Sequence, residues 1–340
     1  MTTLRTARLV LRPFAEPDVE PLCALNADPR VMEHFPSTMG REQTLEMVGR
    51  LRAHFDRHGY GFWSVDDADG TWLGLLGLAH VRFEAAFTPA VEVGWRLRPE
   101  AWGRGVATEG AEAALAHGFG AAGQREIVAM TVIGNHRSWR IMDKLGMTRD
   151  EADDFDHPLI AEGHPIRRHI LYRLPRGRWA ARRARLIPAA TPARLDAART
   201  LFREYEQAIG IDLCFQGFAD ELASLPGKYA GPDGCLLLAE APDGELVGCV
   251  ALRPLGGGIA ELKRLYTRPS ARGSGLGRRL VEAVLEHARG AGHTRVRLDT
   301  LDTMTGAIAL YRALGFTEIP PYGGPGLPGT RYFERTIAPR

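Results

Sequence analysis

The stretch RPSARGSGLGR, residues 268–278, decides the fold because an earlier part of the chain repeats it. Residues 98–107 read RPEAWGRGVA, so an arginine, a proline, an alanine and two glycines recur at a constant offset of 170 residues. In both copies an extended apolar stretch precedes the glycines, and a segment with apolar residues at helical spacing follows them. The repeat predicts two similar structural units in one chain.

A glycine-rich turn from a strand into a helix predicts a phosphate site. Such a turn directs backbone N–H groups at one point, where the positive end of the helix dipole adds to their attraction for an anion. A nucleotide P-loop is excluded because Leu276, Gly277 and Arg278 stand where Gly-Lys-Ser/Thr is needed. A dinucleotide loop is excluded because Arg278 and Thr108 replace its third glycine.

The second loop, Arg272-x-x-Gly275-x-Gly277, resembles the pyrophosphate loop of the GNAT superfamily of N-acetyltransferases, which runs Arg/Gln-x-x-Gly-x-Gly/Ala. The first loop, Trp102-x-x-Gly105-x-Ala107, departs from this pattern at its first position and is similar to the ribosomal-protein N-acetyltransferase branch.

A second shared element lies about forty residues beyond each loop. Gly146 follows Gly105 by 41 residues, and Gly315 follows Gly275 by 40 residues. Two matching elements at nearly equal spacing in each half strengthen the resemblance.

The resemblance covers nearly the whole of both halves and implies an α/β (α+β) fold class. We expect two domains, each with a mixed, mostly antiparallel twisted sheet flanked by helices, at residues 1–176 and 185–340. The basic segment between them, residues 177–184, is interpreted as a linker. A solvated connector is favoured for this charge run, with contact to a CoA phosphate or to an acidic face as the alternative.

Composition limits the class of protein. Of 340 residues, 45% are apolar and 25% charged, which is typical of a soluble globular chain. A net charge of +2 argues against a nucleic-acid partner, and no stretch approaches the roughly 18 apolar residues of a membrane span. The N-terminal arginines argue against a signal peptide, so a cytoplasmic location is expected. The four cysteines, Cys23, Cys214, Cys235 and Cys249, are interpreted as reduced thiols.

The family resemblance implies acetyl-CoA as donor and a primary amine as acceptor. An amine with a pKa near ~10.4 must lose a proton before it attacks a thioester, so a base is needed. An N–H group must also stabilise the oxyanion, and an acid assists the leaving thiolate. Glu261 and Glu92, each on the strand that enters a loop, are candidate bases. A structural ion pair is the alternative interpretation of each.

The candidate acids differ between the halves. Tyr311 lies four residues before Gly315, where the family usually has the tyrosine that protonates the CoA thiolate. In the first half Met142 aligns there and cannot donate a proton. Asn135 and Ser138 resemble the pantetheine and sulfur contacts of the ribosomal-protein branch, although Ser138 could also be a helix cap.

The resemblance also implies the remaining cofactor contacts. In the second half they are Leu265, Tyr266, Thr267, Arg272, Gly273, Ser274, Gly275, Leu276, Gly277 and Arg278. In the first half they are Leu97, Trp102, Gly103, Arg104, Gly105, Val106, Ala107 and Asn135.

Acceptor recognition is expected to differ between the halves. The acidic segment 150–157 could attract a cationic amine, although a solvated loop is an equal alternative, whereas the segment 320–329 is uncharged and contains Tyr322. His54 and His58 are four residues apart on a predicted helix, but no third ligand accompanies them, so a solvated amphipathic face is favoured over a metal pair and no metal is predicted. Asp156 and His157 have no nucleophile elbow with which to form a triad.

Three hypotheses follow. The favoured one is a tandem N-acetyltransferase with two acetyl-CoA sites and direct attack by the amine in a ternary complex. The alternatives are an enzyme active only in its C-terminal domain, with the N-terminal domain as a binding module, and a non-catalytic acyl-CoA sensor. The expected acceptor is a small-molecule amine or a protein N-terminus, and the expected assembly is a monomer with an internal pseudo-dimer or a homodimer.

Overall fold

The computed structural model describes residues 2–210, 217–323 and 327–338. The chain divides into two compact units, Met1–Arg176 and Gly177–Arg340. Cys214, interpreted above as a reduced thiol, lies outside the described residues; the other three cysteines are free.

The first unit contains a nine-stranded sheet with helices. Its strands are β1 (Leu4–Arg5), β2 (Leu9–Arg12), β3 (Phe62–Asp67), β4 (Trp72–His80), β5 (Val91–Leu97), β6 (Glu126–Val132), β7 (Thr148–Arg149), β8 (Phe155–Asp156) and β9 (Arg168–Pro175). Its helices are α1 (Val19–Ala27), α2 (Arg41–His58), α3 (Val106–Phe119) and α4 (His136–Leu145). The strand order is β1-β2-β3-β4-β5-β6-β9-β7, with β8 on β9.

The second unit repeats the arrangement in a seven-stranded sheet. Its strands are β10 (Arg185–Pro188), β11 (Cys235–Glu240), β12 (Leu246–Gly256), β13 (Ile259–Thr267), β14 (Arg295–Leu301), β15 (Thr317–Ile319) and β16 (Thr330–Thr336), in the order β10-β11-β12-β13-β14-β16-β15. Its helices are α5 (Arg176–Arg182), α6 (Pro192–Ile209), α7 (Phe218–Ser224), α8 (Leu276–Gly290) and α9 (Thr305–Ala313).

Helices pack against the second sheet in two separate apolar clusters. Leu280 and Val284 of α8 belong to one cluster, and Ala198 and Leu201 of α6 belong to the other. Their spacing of three and four residues places each set on one face of its helix, which the sheet then covers. The predicted fold class, a mostly antiparallel mixed sheet flanked by helices, is confirmed.

Each sheet contains one short parallel pairing between otherwise antiparallel strands. In the second unit β13 and β14 pair only from Ile259–Arg295 to Glu261–Arg297. In the first unit β5 and β6 pair only at Glu92–Val128. Beyond these positions the backbone N–H and C=O groups on the facing edges have no ladder partner, so they are available to another molecule.

The basic segment between the repeats differs from the expected solvated connector. Its residues form α5, in which Trp179 and Ala181 are buried, and Ala181 and Ala184 join the core of the second unit. Arg279 of α8 donates hydrogen bonds to the carbonyl groups of Arg182 and Ala184 at the end of this segment. Four apolar residues lie among the arginines and form the packing face, which the charge pattern of the sequence did not indicate. They are Trp179, Ala180, Ala181 and Ala184.

No helix in the described part of the chain is both long and apolar enough to cross a membrane.

Candidate functional site

The second glycine loop joins β13 to α8 through a single turn of 3-10 helix. Gly275 has φ +81° and forms the N-cap of α8, a conformation that a side chain would strain. The Ser274 hydroxyl donates to the Ala271 carbonyl at 2.6 Å and accepts from the Leu276 N–H at 3.2 Å. The first N–H groups of a helix lack intrahelical acceptors, so this loop offers several donors to an anion.

The first glycine loop has the same backbone but a different neighbour. Gly105 has φ +79° and is the N-cap of α3. The Trp102 indole N–H donates to the Leu97 carbonyl at 2.9 Å, and the Arg137 guanidinium lies 4.6 Å from the Trp102 ring centre. Thus Trp102 replaces the motif arginine, while Arg137 of α4 brings a positive charge beside it. Its place in the sequence, thirty residues beyond the loop, carried no signal of this contact.

The strand β13 contains a bulge just before the loop. Cys249 pairs with Tyr266 and Ala251 pairs with Lys263, so Arg264 and Leu265 together oppose Val250. Arg264 has φ +56° and is the one non-glycine with positive φ among the described residues. A bulge of this type leaves a backbone group out of the ladder and redirects it. The corresponding ladder in the first unit runs without a shift from Gly74–Leu97 to His80–Val91.

A buried ion pair fixes the bulge. The Arg264 guanidinium donates two hydrogen bonds to Glu221 of α7, at 2.8 and 3.0 Å, and both side chains are nearly inaccessible. Lys228 and the Tyr229 hydroxyl also donate to the Glu221 carboxylate, at 2.7 and 2.8 Å. Burial alone raises the pKa of Glu221, but the hydrogen bonds and charge of Arg264, with smaller contributions from Lys228 and Tyr229, lower it to about 2.

Glu261 lies where β13 and β14 stop pairing, and its side chain is buried. Its Oε2 accepts a hydrogen bond from Arg253 Nε at 2.6 Å, and its Oε1 accepts one from the Tyr322 hydroxyl at 3.0 Å. Burial raises the pKa of Tyr322, and the negative charge of Glu261 raises it further. Glu261 therefore forms the ion pair expected of a structural carboxylate. It also lies at the strand position expected of the catalytic base.

Tyr311 on α9 is buried between Phe316 and Phe333, with ring centres 5.8 and 6.4 Å away. Burial raises the pKa of its hydroxyl, and the charges of Tyr205 and Asp299 add to the effect. The hydroxyl is protonated at neutral pH, as an ordinary tyrosine is, so it holds the proton that an acid in the reaction would donate.

Glu92 occupies the matching place in the first unit, at the one parallel pair of β5 and β6. Burial raises its pKa to about 7, although the charge of Arg82 opposes the shift. A carboxyl group with this pKa exchanges a proton readily near neutral pH.

Comparisons with known proteins agree with this geometry. The family model described as an acetyltransferase (GNAT) domain matches residues 8–148, and the model described as the acetyltransferase (GNAT) family matches residues 196–316. The chain belongs to the GNAT family. The expected resemblance is thereby confirmed, and the chain is an N-acetyltransferase with two GNAT domains.

Two GNAT relatives each match less than half of the chain. A Schizosaccharomyces pombe protein named an uncharacterized N-acetyltransferase is 42% identical over 144 residues, which are 42% of this chain and 88% of the relative. The IAA acetyltransferase of Azospirillum brasilense is 37% identical over 129 residues, 38% of this chain and 82% of the relative.

Solved GNAT structures give similar coverage. An acetyltransferase from Agrobacterium tumefaciens is 27% identical with a TM-score of 0.43 and covers 51% of this chain and 94% of its own. A ribosomal-protein-S5-alanine acetyltransferase from Vibrio fischeri is 16% identical with a TM-score of 0.44 and covers 53% of this chain and 99% of its own.

In the first GNAT domain Asn135, and not Ser138, caps α4. Its side-chain oxygen accepts from the Ser138 N–H at 3.2 Å, while its amide donates to the Thr131 hydroxyl at 2.9 Å. The Ser138 hydroxyl instead accepts from the Trp95 indole N–H on β5 at 3.3 Å. Ser138 thus faces the strand that leads into the glycine loop. Met142 is buried.

The acidic segment 150–157 is largely neutralised. Asp153 accepts from Arg173 at 2.7 Å, Asp154 accepts from Arg149 at 3.0 Å, and Asp156 lies within 3.7 Å of both Arg167 and Arg168. The segment therefore holds less free negative charge than its sequence suggested.

His80 joins His54 and His58, the pair for which the sequence offered no third partner. One ring nitrogen of each lies within 4.8 Å of the others. Both nitrogens of His54 are already engaged, Nδ1 with the Tyr60 carbonyl at 2.9 Å and Nε2 with the His80 N–H at 3.1 Å. His54 therefore ties the end of α2 to β4, in place of the predicted solvated face.

Replacing Glu221 by Gln should destabilise the second domain. The change leaves Arg264 buried without its counter-charge, a loss of about 3–5 kcal/mol in the free energy of unfolding. Because the folded pKa of Glu221 is about 2, below its ordinary value of 4.5, the wild type should lose this stabilisation as the pH falls from about 5 towards 2. Urea denaturation across this pH range measures both effects.

The matched control is Glu282→Gln, which removes an exposed pair with Arg278 on α8. It should change stability by less than about 1 kcal/mol. Equal effects of the two substitutions would contradict the role assigned to the buried pair.

Replacing Glu92 by Gln should stabilise the first domain at alkaline pH. The folded pKa of Glu92, about 7, exceeds its ordinary value of 4.5, so the contribution of Glu92 to wild-type stability is fully present below pH 4.5 and is lost as the pH rises through 7. The variant lacks this loss, and we expect an advantage of about 1–3 kcal/mol at pH 8 that vanishes at pH 4. Thermal denaturation at both pH values tests this, with the exposed Glu112→Gln on α3 as control. An advantage that does not depend on pH would contradict the burial of an ionisable Glu92.

Proposed function

We propose that the chain uses acetyl-CoA to acetylate primary amines, with a CoA site in each GNAT domain and direct attack by the amine in a ternary complex. The observation that carries the proposal is the bulge at Arg264 and Leu265, between a split parallel strand pair and a glycine loop. A redirected backbone N–H in the bulge supplies a donor for the thioester carbonyl oxygen. The glycine loop next to it holds the pyrophosphate.

The reaction in the second domain begins with deprotonation of the acceptor. The ammonium group passes a proton to Glu261, directly or through water, and the neutral nitrogen then attacks the thioester carbon and releases its second proton to solvent. The C–S bond then breaks, and the departing sulfur takes the proton of the Tyr311 hydroxyl. The products are an N-acetylated amine and free CoA. Arg253 orients the Glu261 carboxylate through its 2.6 Å hydrogen bond.

Cofactor binding follows the two loops. In the second domain Leu265, Tyr266 and Thr267 offer backbone groups to the pantetheine arm, and residues 272–278 enclose the phosphates. In the first domain Leu97, Asn135 and residues 102–107 have these roles, with Glu92 as base and Ser138 near the sulfur.

A specific difference supports the alternative in which only the second domain turns over. The first domain lacks both the strand bulge, within the residues described, and the tyrosine acid, since its β4–β5 ladder is continuous and Met142 aligns with the acid. In this case the first domain binds CoA or an acceptor without catalysis. Different acceptors remain the proposal for the two domains, because segment 150–157 carries paired acids while segment 320–329 is uncharged.

Isothermal titration of CoA should give two equivalents per chain for the wild type and one for each loop variant. Gly275→Val and Gly105→Val force a side chain onto a backbone with φ near +80° and obstruct the approach of a phosphate. Glycines with similar φ outside the loops are matched controls for backbone strain, and we use Gly292→Val at +81° and Gly123→Val at +65°. Two equivalents in both loop variants would contradict the loop assignment.

Tyr311→Phe should lower kcat for acetyl transfer by about 100-fold, the usual contribution of a positioned acid, while KM for acetyl-CoA changes little. A steady-state thiol-release assay over a panel of amines measures both constants. Tyr172→Phe, a buried tyrosine of the first domain, should leave second-domain turnover intact. Full activity of Tyr311→Phe would remove Tyr311 from the mechanism.

A further inference from the structure

Two arginines outside the family motif lie against the two glycine loops. Arg178, on α5, has its Nη2 2.5 Å from the position that a Cβ atom on Gly273 would take. Arg8, just before β2, has its Nη2 3.3 Å from the position that a Cβ atom on Gly105 would take, which is the next glycine of the loop, since Gly273 corresponds to Gly103. The two arginines are separated by 170 residues, the same offset that relates the loops. Each domain thus brings a guanidinium to its glycine loop from its N-terminal part, from the β1–β2 turn in the first domain and from α5 in the second.

At the first loop this charge is already used. Arg8 Nε donates to Glu109 Oε2 at 2.7 Å, and Arg8 Nη2 lies 2.6 Å from the same oxygen. Arg8 Nη1 donates to the Arg104 carbonyl at 3.0 Å, and Thr6 also donates to Glu109. Glu109 stands in the first turn of α3, where a carboxylate also offsets the positive end of the helix dipole. The charge of Arg8 is therefore neutralised by Glu109 at the first loop.

At the second loop the charge is not balanced. Arg178 forms no ion pair with any carboxylate in the described ranges, and its buried Nη1 has no hydrogen-bond acceptor. A buried donor without an acceptor is unfavourable, and native structures retain one mainly where a ligand or an ion supplies the partner.

The residue that replaces Glu109 strengthens the contrast. At the same offset of 170 the second domain has Arg279, which donates to the carbonyl groups of Ala181, Arg182 and Ala184. Arg279 thereby holds the end of α5 against α8 and adds a second positive charge to the first turn of that helix. Glu109 neutralises the arginine charge at the first loop, whereas the second loop retains the charge of Arg178 because Arg279 replaces that glutamate.

The close approach depends on the absence of a side chain at Gly273. A Cβ atom there would lie 2.5 Å from Nη2 and 3.0 Å from Cζ of Arg178, so any other residue would displace the guanidinium. Gly273 has φ +70°. The glycine therefore serves the arginine contact as well as the turn.

We propose that Arg178 binds a phosphate oxygen of CoA at the second loop, and that this charge makes the second CoA site the tighter of the two. The inference rests on the proposed function, because it assumes that both loops bind CoA. Guanidinium groups bind phosphate with short, charge-assisted hydrogen bonds. The bound phosphate supplies the acceptor that Arg178 lacks, while at the first loop Glu109 competes for Arg8.

The test is a calorimetric titration of CoA into the full-length chain and its variants. In the wild type we expect two sites of unequal affinity. Arg178→Met should weaken the tighter site by about 10- to 100-fold, the loss that corresponds to one charge-assisted hydrogen bond. Arg183→Met removes one charge from the same basic segment, at an exposed position where the guanidinium lies 5.1 Å from the Trp179 ring centre, and should shift neither site by more than about twofold.

Two further variants keep the test decisive if Arg178→Met folds poorly. Arg178→Lys retains the charge and should retain more affinity than the methionine variant. Glu109→Gln frees Arg8 and should tighten the weaker site. The difference in CoA affinity between the two sites should then become smaller. Unchanged affinities in both Arg178 variants would overturn the assignment of Arg178, and an unchanged weaker site in Glu109→Gln would overturn the explanation of the difference.

Dephospho-CoA, which lacks the 3′-phosphate, identifies the phosphate involved. If Arg178→Met weakens CoA and dephospho-CoA equally, Arg178 binds the pyrophosphate; if it weakens only CoA, Arg178 binds the 3′-phosphate. A wild-type chain that binds no CoA would overturn the proposed function itself, whereas a wild type with two equal sites would overturn only the present inference.

Discussion

Each domain depends on a parallel strand pairing that stops early. Three residue pairs join β13 to β14, and one pair joins β5 to β6, while the antiparallel ladders on either side run over most of their strands. In the second domain Leu262 of β13 and Val296 of β14 belong to one apolar cluster with α8, so packing also joins the two halves of the sheet. The short pairing leaves backbone N–H and C=O groups without a ladder partner at the centre of the sheet, where backbone groups are normally paired. Glu261 and Glu92 both lie at the last paired position.

In the second domain a strand bulge and a buried ion pair lie next to the short parallel pairing. A left-handed backbone at a bulky residue such as Arg264 is unfavourable and persists only where the surroundings enforce it. Glu221 does so, because two buried charges that are bound at two points cannot move independently. Lys228 and Tyr229 complete the coordination of the carboxylate. The first domain has a regular ladder instead, which indicates that the two copies have diverged in how they present the strand to a ligand.

The sequence predicted the parts of the structure that are local in the chain. The glycine loops, the strand before each loop and the helix after it require only neighbouring residues, so their order was correct. Contacts between distant segments carried no such signal. The pair of Glu221 and Arg264, the position of Arg137 beside Trp102, and the third histidine, His80, each join residues that are 22 or more apart. The basic segment misled for another reason: arginine side chains can cover apolar surface with their aliphatic stems, so a charged run need not be solvated.

The helix α5 lies between the two repeats and has no role as a simple linker. Ala181 and Ala184 fill the core of the second domain, and the carbonyl groups after α5 are held by Arg279. The segment between the two copies is thus part of the packed structure of the second domain and not a flexible linker. A chain cut at Arg185, or one whose residues 178–184 are exchanged for a flexible spacer, would retain every motif of the family and still lack a piece of its second domain.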